Sequence, residues 1–289
     1  MTITRDRPTF SRWTKLGLAL AIVVVAFVVL ASLRGGDGGG GPLGAAGPPN
    51  AIAQAAEKTR HEPGARVAIR MVASAPGSKP IPMWGQMVYD DEDRTRAALT
   101  VLPPGSDESF QMNMVTDGTT MYMSSRRFGS LPDDANWMKL DLDFAQEPES
   151  LVPANPDATG ELELLEAVSD DVEKLGEEKI RGVETTHYRG TVAVASQAER
   201  LRDVGAEELA ERSEEEGSPT AVEAWIDDQG LMRRMKIVHT SPKVEGDGTT
   251  TMNARMDFFD FGIEPVIEIP ASDEVFDATS IAEEGLEDH

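Results

Sequence analysis

The chain has 289 residues, no cysteine, and 51 acidic against 27 basic side chains, a formal net charge of −24. Disulfides, thiolate chemistry, cysteine-type zinc sites and a thioether-linked lipid are therefore excluded, and the fold must rest on its hydrophobic core alone. Taken over the whole chain, the acidic balance argues against nucleic acid or anionic lipid surfaces as partners.

The first feature along the chain is an uncharged apolar run, Leu16 to Leu33 (LGLALAIVVVAFVVLASL). As a helix it would span roughly 27 Å, close to the thickness of a bilayer core. Arg5, Arg7, Arg12 and Lys15 precede it against Asp6 alone. The positive-inside bias then predicts a single-pass anchor, with residues 1–15 as a cytoplasmic stub and the remainder extracytoplasmic. A cleaved signal peptide is the competing reading, although its apolar region is usually only about 7–15 residues. Leu30, Ala31 and Ser32 begin like a bacterial lipobox, but Leu33 stands where the lipidated cysteine belongs. Residues 34–49 are rich in glycine and proline and read as a flexible linker to a domain at 50–289. No Lys-Ser or Lys-Thr pair follows these glycines, so they are not a phosphate loop.

Ala51 to His61 reads as a short helix with Asn50 as its cap. Strands are expected at 66–72, 85–89, 94–102, 110–115, 119–123 and 137–142, with a hairpin at Asp117-Gly118 and an acidic turn at 90–93. A helix capped by Thr159 and closed by Gly176 would carry Leu162, Leu165, Val168, Val172 and Leu175 on one stripe. Strands follow at 177–180 and 185–195, a charged helix at 197–216, and a hairpin of 221–226 with 231–239. The last strands are expected at 249–261 and 266–269. About ten strands linked mainly by hairpins predict an α+β, mainly antiparallel fold: one large sheet that curls, with helices covering its concave face.

Catalytic signatures are lacking. There is no G-x-S-x-G, H-E-x-x-H or G-x-G-x-x-G, and His61, His187, His239 and His289 lack ligand spacing. The acidic runs do not have calcium-loop spacing and read as solvated turns. No enzyme, metal or cofactor is expected. The methionines are more informative, because a flexible, polarizable side chain suits an adaptable apolar surface. Met112 and Met114 share one face of a strand, and Met121 and Met123 one face of its hairpin partner. The candidate ligand-cavity residues are these four with Trp84, Trp137, Leu165, Val168 and Val172. Ordinary core packing is the competing reading for each of them. Hairpin register, which would decide whether the two methionine pairs share a face, is not fixed by these residues.

Several segments, in order, resemble actinobacterial LppX/LprG-type lipoproteins. They are GEEKIRGVETTHYRG (176–190), VEAWID (222–227) followed by GLMRR (230–234), and FDFGIEPVIEIP (259–270). Asp117-Gly118 before Met121-Tyr122, then Trp137, Met138 and Lys139, fit the same order. The resemblance covers roughly residues 50–280 and departs at the lipobox. It implies a LolA-like half-barrel that carries lipids or acylated molecules between sheet and helices, with no catalytic residues.

The expected function is a membrane-anchored, extracytoplasmic binding protein for a lipid or acylated molecule, with the cell membrane as a partner and no nucleic acid. The alternative is a sensory or regulatory envelope ectodomain acting through an envelope protein partner. A hydrolase with an unrecognised site ranks last.

Overall fold

The computed structural model describes residues 51–281, except 76, 91, 93, 142–164, 166–167, 169–171, 204–206 and 243–248. The expected anchor at 16–33, the linker at 34–49 and most of the helix expected at 159–175 lie outside the described residues. Among the described residues no helix is long and apolar enough to cross a membrane.

Among the described residues twelve strands form one open sheet. In chain order they are β1 (Gly64–Ser74), β2 (Ile81–Asp90), β3 (Arg94–Val101), β4 (Phe110–Asp117), β5 (Thr120–Ser124) and β6 (Trp137–Asp141). Then come β7 (Glu173–Ile180), β8 (Val183–Val192), β9 (Thr220–Asp227), β10 (Met232–Pro242), β11 (Thr249–Phe259) and β12 (Val275–Asp277). Three helices are described: α1 (Ala51–Arg60), α2 (Val194–Asp203) and α3 (Glu207–Glu216). The spatial order is β12-β6-β5-β4-β3-β2-β1-β11-β10-β9-β8-β7. Two antiparallel meanders therefore meet where β1 pairs with β11. Among the described strands only β12 with β6 is parallel.

Turn chemistry explains the hairpins. Arg181 and Gly182 both have positive φ (51° and 87°), as a two-residue type I′ connection of β7 to β8 requires. The β4–β5 turn is Gly118-Thr119, one residue later than expected, and Gly118 supplies the positive φ of 56°. Two other turns use the same acidic device. Asp90 Oδ1 accepts the backbone N–H groups of Glu92 and Arg94, both at 3.0 Å, and Arg94 Nε donates to Asp90 Oδ2 at 2.8 Å. Asp227 repeats it between β9 and β10.

Strand alternation gives the sheet an apolar and a charged face. One cross-strand row of the apolar face runs Val222, Ile237, Ala254, Met71, Met83 and Val101 from β9 to β3. The next runs Met235, Met256, Ile69, Gly85, Leu99 and Met112 from β10 to β4. α1 lies against this inner face through Ile52, Ala55 and Ala56, all in the main buried cluster. Its end is fixed by hydrogen bonds: the Tyr89 hydroxyl donates to the Thr59 carbonyl at 3.0 Å, and the Met232 N–H donates to Thr59 Oγ1 at 2.9 Å.

Gly85 tests this packing. A Cβ there would stand 2.0 Å from the Ala98 carbonyl oxygen and 2.9 Å from Leu99 Cα. Gly85→Ala is expected to cost about 3 kcal/mol through overpacking. An unchanged urea midpoint would show instead that β2 and β3 separate freely.

Three elements depart from expectation. The helix expected to run to Gly176 does not: Leu165 is helical, but Glu173 to Leu175 already belong to β7, paired with β8 across a bulge at Lys174/Gly176. Short apolar runs fit both periodicities, and the free edge of β8 decided the outcome. No strand forms at 266–269; the last strand is β12, and Val266 is exposed. The charged helix at 197–216 is two helices, α2 and α3, joined by a bidentate Arg202–Glu214 pair at 2.9–3.0 Å.

Candidate functional site

Register brings the four methionines together. Met114 on β4 stands directly opposite Met123 on β5, and Thr116 opposite Met121. Met123 in turn faces Met138, and Met121 faces Leu140. Both pairs lie on the inner face and are fully buried, with exposures of 1, 3, 4 and 0 % for Met112, Met114, Met121 and Met123. Leu165 and Val168 are in the same buried cluster, and Val172 packs at its margin. The lack of a side chain at Gly190 lets this segment approach β8: a Cβ there would stand 2.5 Å from Val168 and 3.5 Å from Ile52.

Trp84 and Trp137 are not brought to these residues. Trp84 pairs with Arg70 and Thr100 on the outer face and is 41 % exposed. Trp137 alternates with the inward Met138 and so also faces outward. Parity alone carried this signal: each tryptophan neighbours a methionine in a strand, and neighbours point to opposite faces.

The whole methionine set is larger than the candidate list. Of the 13 methionines in the chain, all but Met1 are in one buried cluster. Isoleucine and valine would suit strands better. Methionine keeps three rotatable bonds and fills irregular space. α1 meets this surface through Ile52, Ala55 and Ala56, all buried.

The inner face has polar spots. Thr95 and Thr116 share a hydroxyl hydrogen bond at 2.7 Å. His239, opposite Met252, bonds Thr220 Oγ1 through Nδ1 at 2.7 Å. Burial holds the His239 pKa down at about 4. In the unfolded chain it titrates near 6.5. Between those values the unfolded state binds more protons, so the stability present above about pH 6.5 is lost as the pH falls through about 4. Urea midpoints are expected to fall across that window by the equivalent of about 2 kcal/mol. His239→Gln should remove this part of the slope; an identical pH profile in the variant would assign it to carboxylates.

At the rim, a cleft of about 720 Å³ opens beside the end of α1, lined among others by Lys58, Glu62, Gln229, Arg233, Asp260 and Phe261. Lys58 Nζ donates to the Gln229 carbonyl, and the Arg233 guanidinium lies 4.8 Å from the Phe261 ring centroid.

The outer face carries an ionic and aromatic network at the VEAWID segment. The His187 ring stacks on Trp225 at 4.0 Å, and its Nε2 is 3.0 Å from Glu223 Oε2. Trp225 Nε1 donates to Glu178 at 2.8 Å. Asp257 accepts bidentate pairs from both Arg234 and Arg255. Burial pushes its carboxyl up, but those hydrogen bonds outweigh it and hold the pKa at about 2. Among the described residues no cluster of three or more histidine or acidic side chains could hold a metal.

The chain is similar to several solved structures, at low sequence identity. Lipoprotein LppX of Mycobacterium tuberculosis is 18 % identical, with 75 % of this chain and 96 % of that chain covered at a TM-score of 0.46. LprF of Mycobacterium bovis is 14 % identical, covering 77 % and 96 % at 0.45. A LolA-superfamily protein of Nitrosomonas europaea is 10 % identical, covering 76 % and 93 % at 0.28. In sequence, the chain is 33 % identical over 121 residues to an uncharacterized 31.2 kDa protein of the rplA-rplJ intergenic region of Streptomyces griseus. That match takes in 40 % of this chain and only 38 % of the relative's length. No family model matches.

Proposed function

We propose that this chain is a membrane-anchored binding protein that holds a lipid-like apolar molecule against the methionine-lined face of its sheet. Residues 16–33 form the anchor, 34–49 the linker, and 50–289 an extracytoplasmic LolA-like domain. The observation that carries the reading is the gathering of every described methionine into one inner face. A rigid core of this size needs no such residue set, whereas a surface that must close on itself and reopen around acyl chains does. α1 contributes to both parts of the site: Ala55 and Ala56 touch the apolar interior, and Lys58 lines the polar cleft. An amphipathic ligand would lie with its chains inside and its polar end at this cleft. Met112, Met114, Met121 and Met123, with Leu165, Val168 and Val172, are the proposed contacts.

Mass spectrometry of organic extracts from the purified protein is expected to find bound acyl-chain molecules. An empty extract, together with no uptake of a fluorescent fatty-acyl probe, would overturn the reading. That result would favour the alternative, an ectodomain acting through an envelope protein partner, which the closed methionine face and the exposed Trp84 and Val238 support.

Replacing Met112, Met114, Met121 and Met123 together by leucine separates adaptability from apolarity. Each swap is nearly volume-conserving and should change stability by less than about 1.5 kcal/mol. The range of acyl lengths bound is expected to narrow. An unchanged range would mean that these four side chains only pack.

A further inference from the structure

We propose that the outer face of β1, β10 and β11 docks the domain onto an anionic lipid surface. The outward positions of these strands hold Arg66, Arg70, Arg234, Lys236 and Arg255, and the only acidic residue among them is Asp257. This reverses the balance of the chain, which has 27 basic and 51 acidic side chains. Arg70, Arg255 and Lys236 stand directly opposite one another in a single row across three strands. Like charges so placed repel, and here the neutralisation is incomplete. Asp257 is held by Arg234 and Arg255, and Glu223 approaches Lys236 at 3.6 Å. Asp260, just past β11, stands 3.4 Å from Arg66. Among the described residues Arg70 has no carboxylate partner. An anionic surface would relieve the repulsion.

The apolar residues beside this row favour a bilayer over a soluble polyanion. The row continues from Arg70 to Trp84, which is 41 % exposed. The adjacent row holds Val72 and Val238, the latter 42 % exposed. An exposed tryptophan and valine beside cations suit the headgroup boundary, where cations meet phosphates and the ring meets acyl carbons. The rest of the acidic domain would be repelled by the same surface, which sets one orientation. The inference rests on the anchor reading for proximity: about 16 residues separate Leu33 from Asn50, enough to reach roughly 50 Å when extended.

The chain has no cysteine, so Val238→Cys gives a single labelling position for an environment-sensitive fluorophore. The full chain is reconstituted into vesicles of phosphatidylcholine, with or without about 30 % phosphatidylglycerol. Docking predicts a blue-shifted emission only with phosphatidylglycerol, reversed by about 0.5 M sodium chloride. Arg70→Glu with Lys236→Glu should lower the docked fraction about tenfold, while circular dichroism and acyl-probe uptake on the inner face stay unchanged. Flotation with vesicles but no shift overturns docking alone. Failure to float on either vesicle overturns the anchor and docking together. An equal shift on both vesicles, or a shift with heparin in solution and none with phosphatidylglycerol, also overturns the proposal.

Discussion

Met114→Asp with Met121→Asp is expected to abolish acyl-probe uptake and to unfold the domain under mild conditions. Both side chains are buried on the inner face, opposite Met123 and Thr116 respectively, and no cation is paired with either position. A carboxylate there loses its hydration without an ion partner, at a cost of several kcal/mol each. Near-ultraviolet circular dichroism and urea midpoints measure the folding loss, and probe fluorescence measures uptake. A double variant with a wild-type midpoint would remove both residues from the closed face. A variant that keeps its fold when a stabilising osmolyte is added, yet takes up no probe, would tie them to binding directly.

Asp227→Ala is expected to cost about 3–5 kcal/mol, the second largest effect. The Asp227 side chain is only 1 % exposed. Its Oδ1 accepts the N–H groups of Gln229 at 3.0 Å and Leu231 at 2.8 Å, and its Oδ2 takes Arg233 Nε at 2.6 Å. Truncation leaves two turn amides and a largely buried guanidinium without their acceptor. Asp227→Asn can still serve the amides and should lose about half as much. Equal losses in the two variants would show that the ion pair, and not the turn, dominates.

Much of this fold was legible where chemistry is local. Gly118 and the Arg181-Gly182 pair mark turns that demand positive φ, and alternation of Met112 with Met114 and of Met121 with Met123 marks inward faces. What needed the structure was non-local. The three residues of β12 carry no signal of their own and become a strand only because β6 offers an edge. Glu173 to Leu175 continue an apolar stripe that fits a helix, until pairing with β8 claims them. The shared face of the two methionine pairs depended on register, and that came from Met114 meeting Met123. The cationic row was hidden differently: Arg70, Lys236 and Arg255 lie far apart in sequence, within a chain whose total charge has the opposite sign.

The position of β1 in the middle of the sheet governs the order in which the molecule can be completed. Among the described strands β1 is the first made, but its second partner, β11, is the last but one: Arg66 waits for Phe259, and Ser74 for Thr251. The early meander from β1 to β6 can form from neighbouring hairpins as it emerges, while the seam that joins it to the later meander must close a very long loop. Until then β1 presents an open edge to any other extended chain. Arg66 and Arg70 on that edge charge it and discourage wrong pairing during synthesis. The slow step of folding is therefore expected at the seam, once β11 has been made.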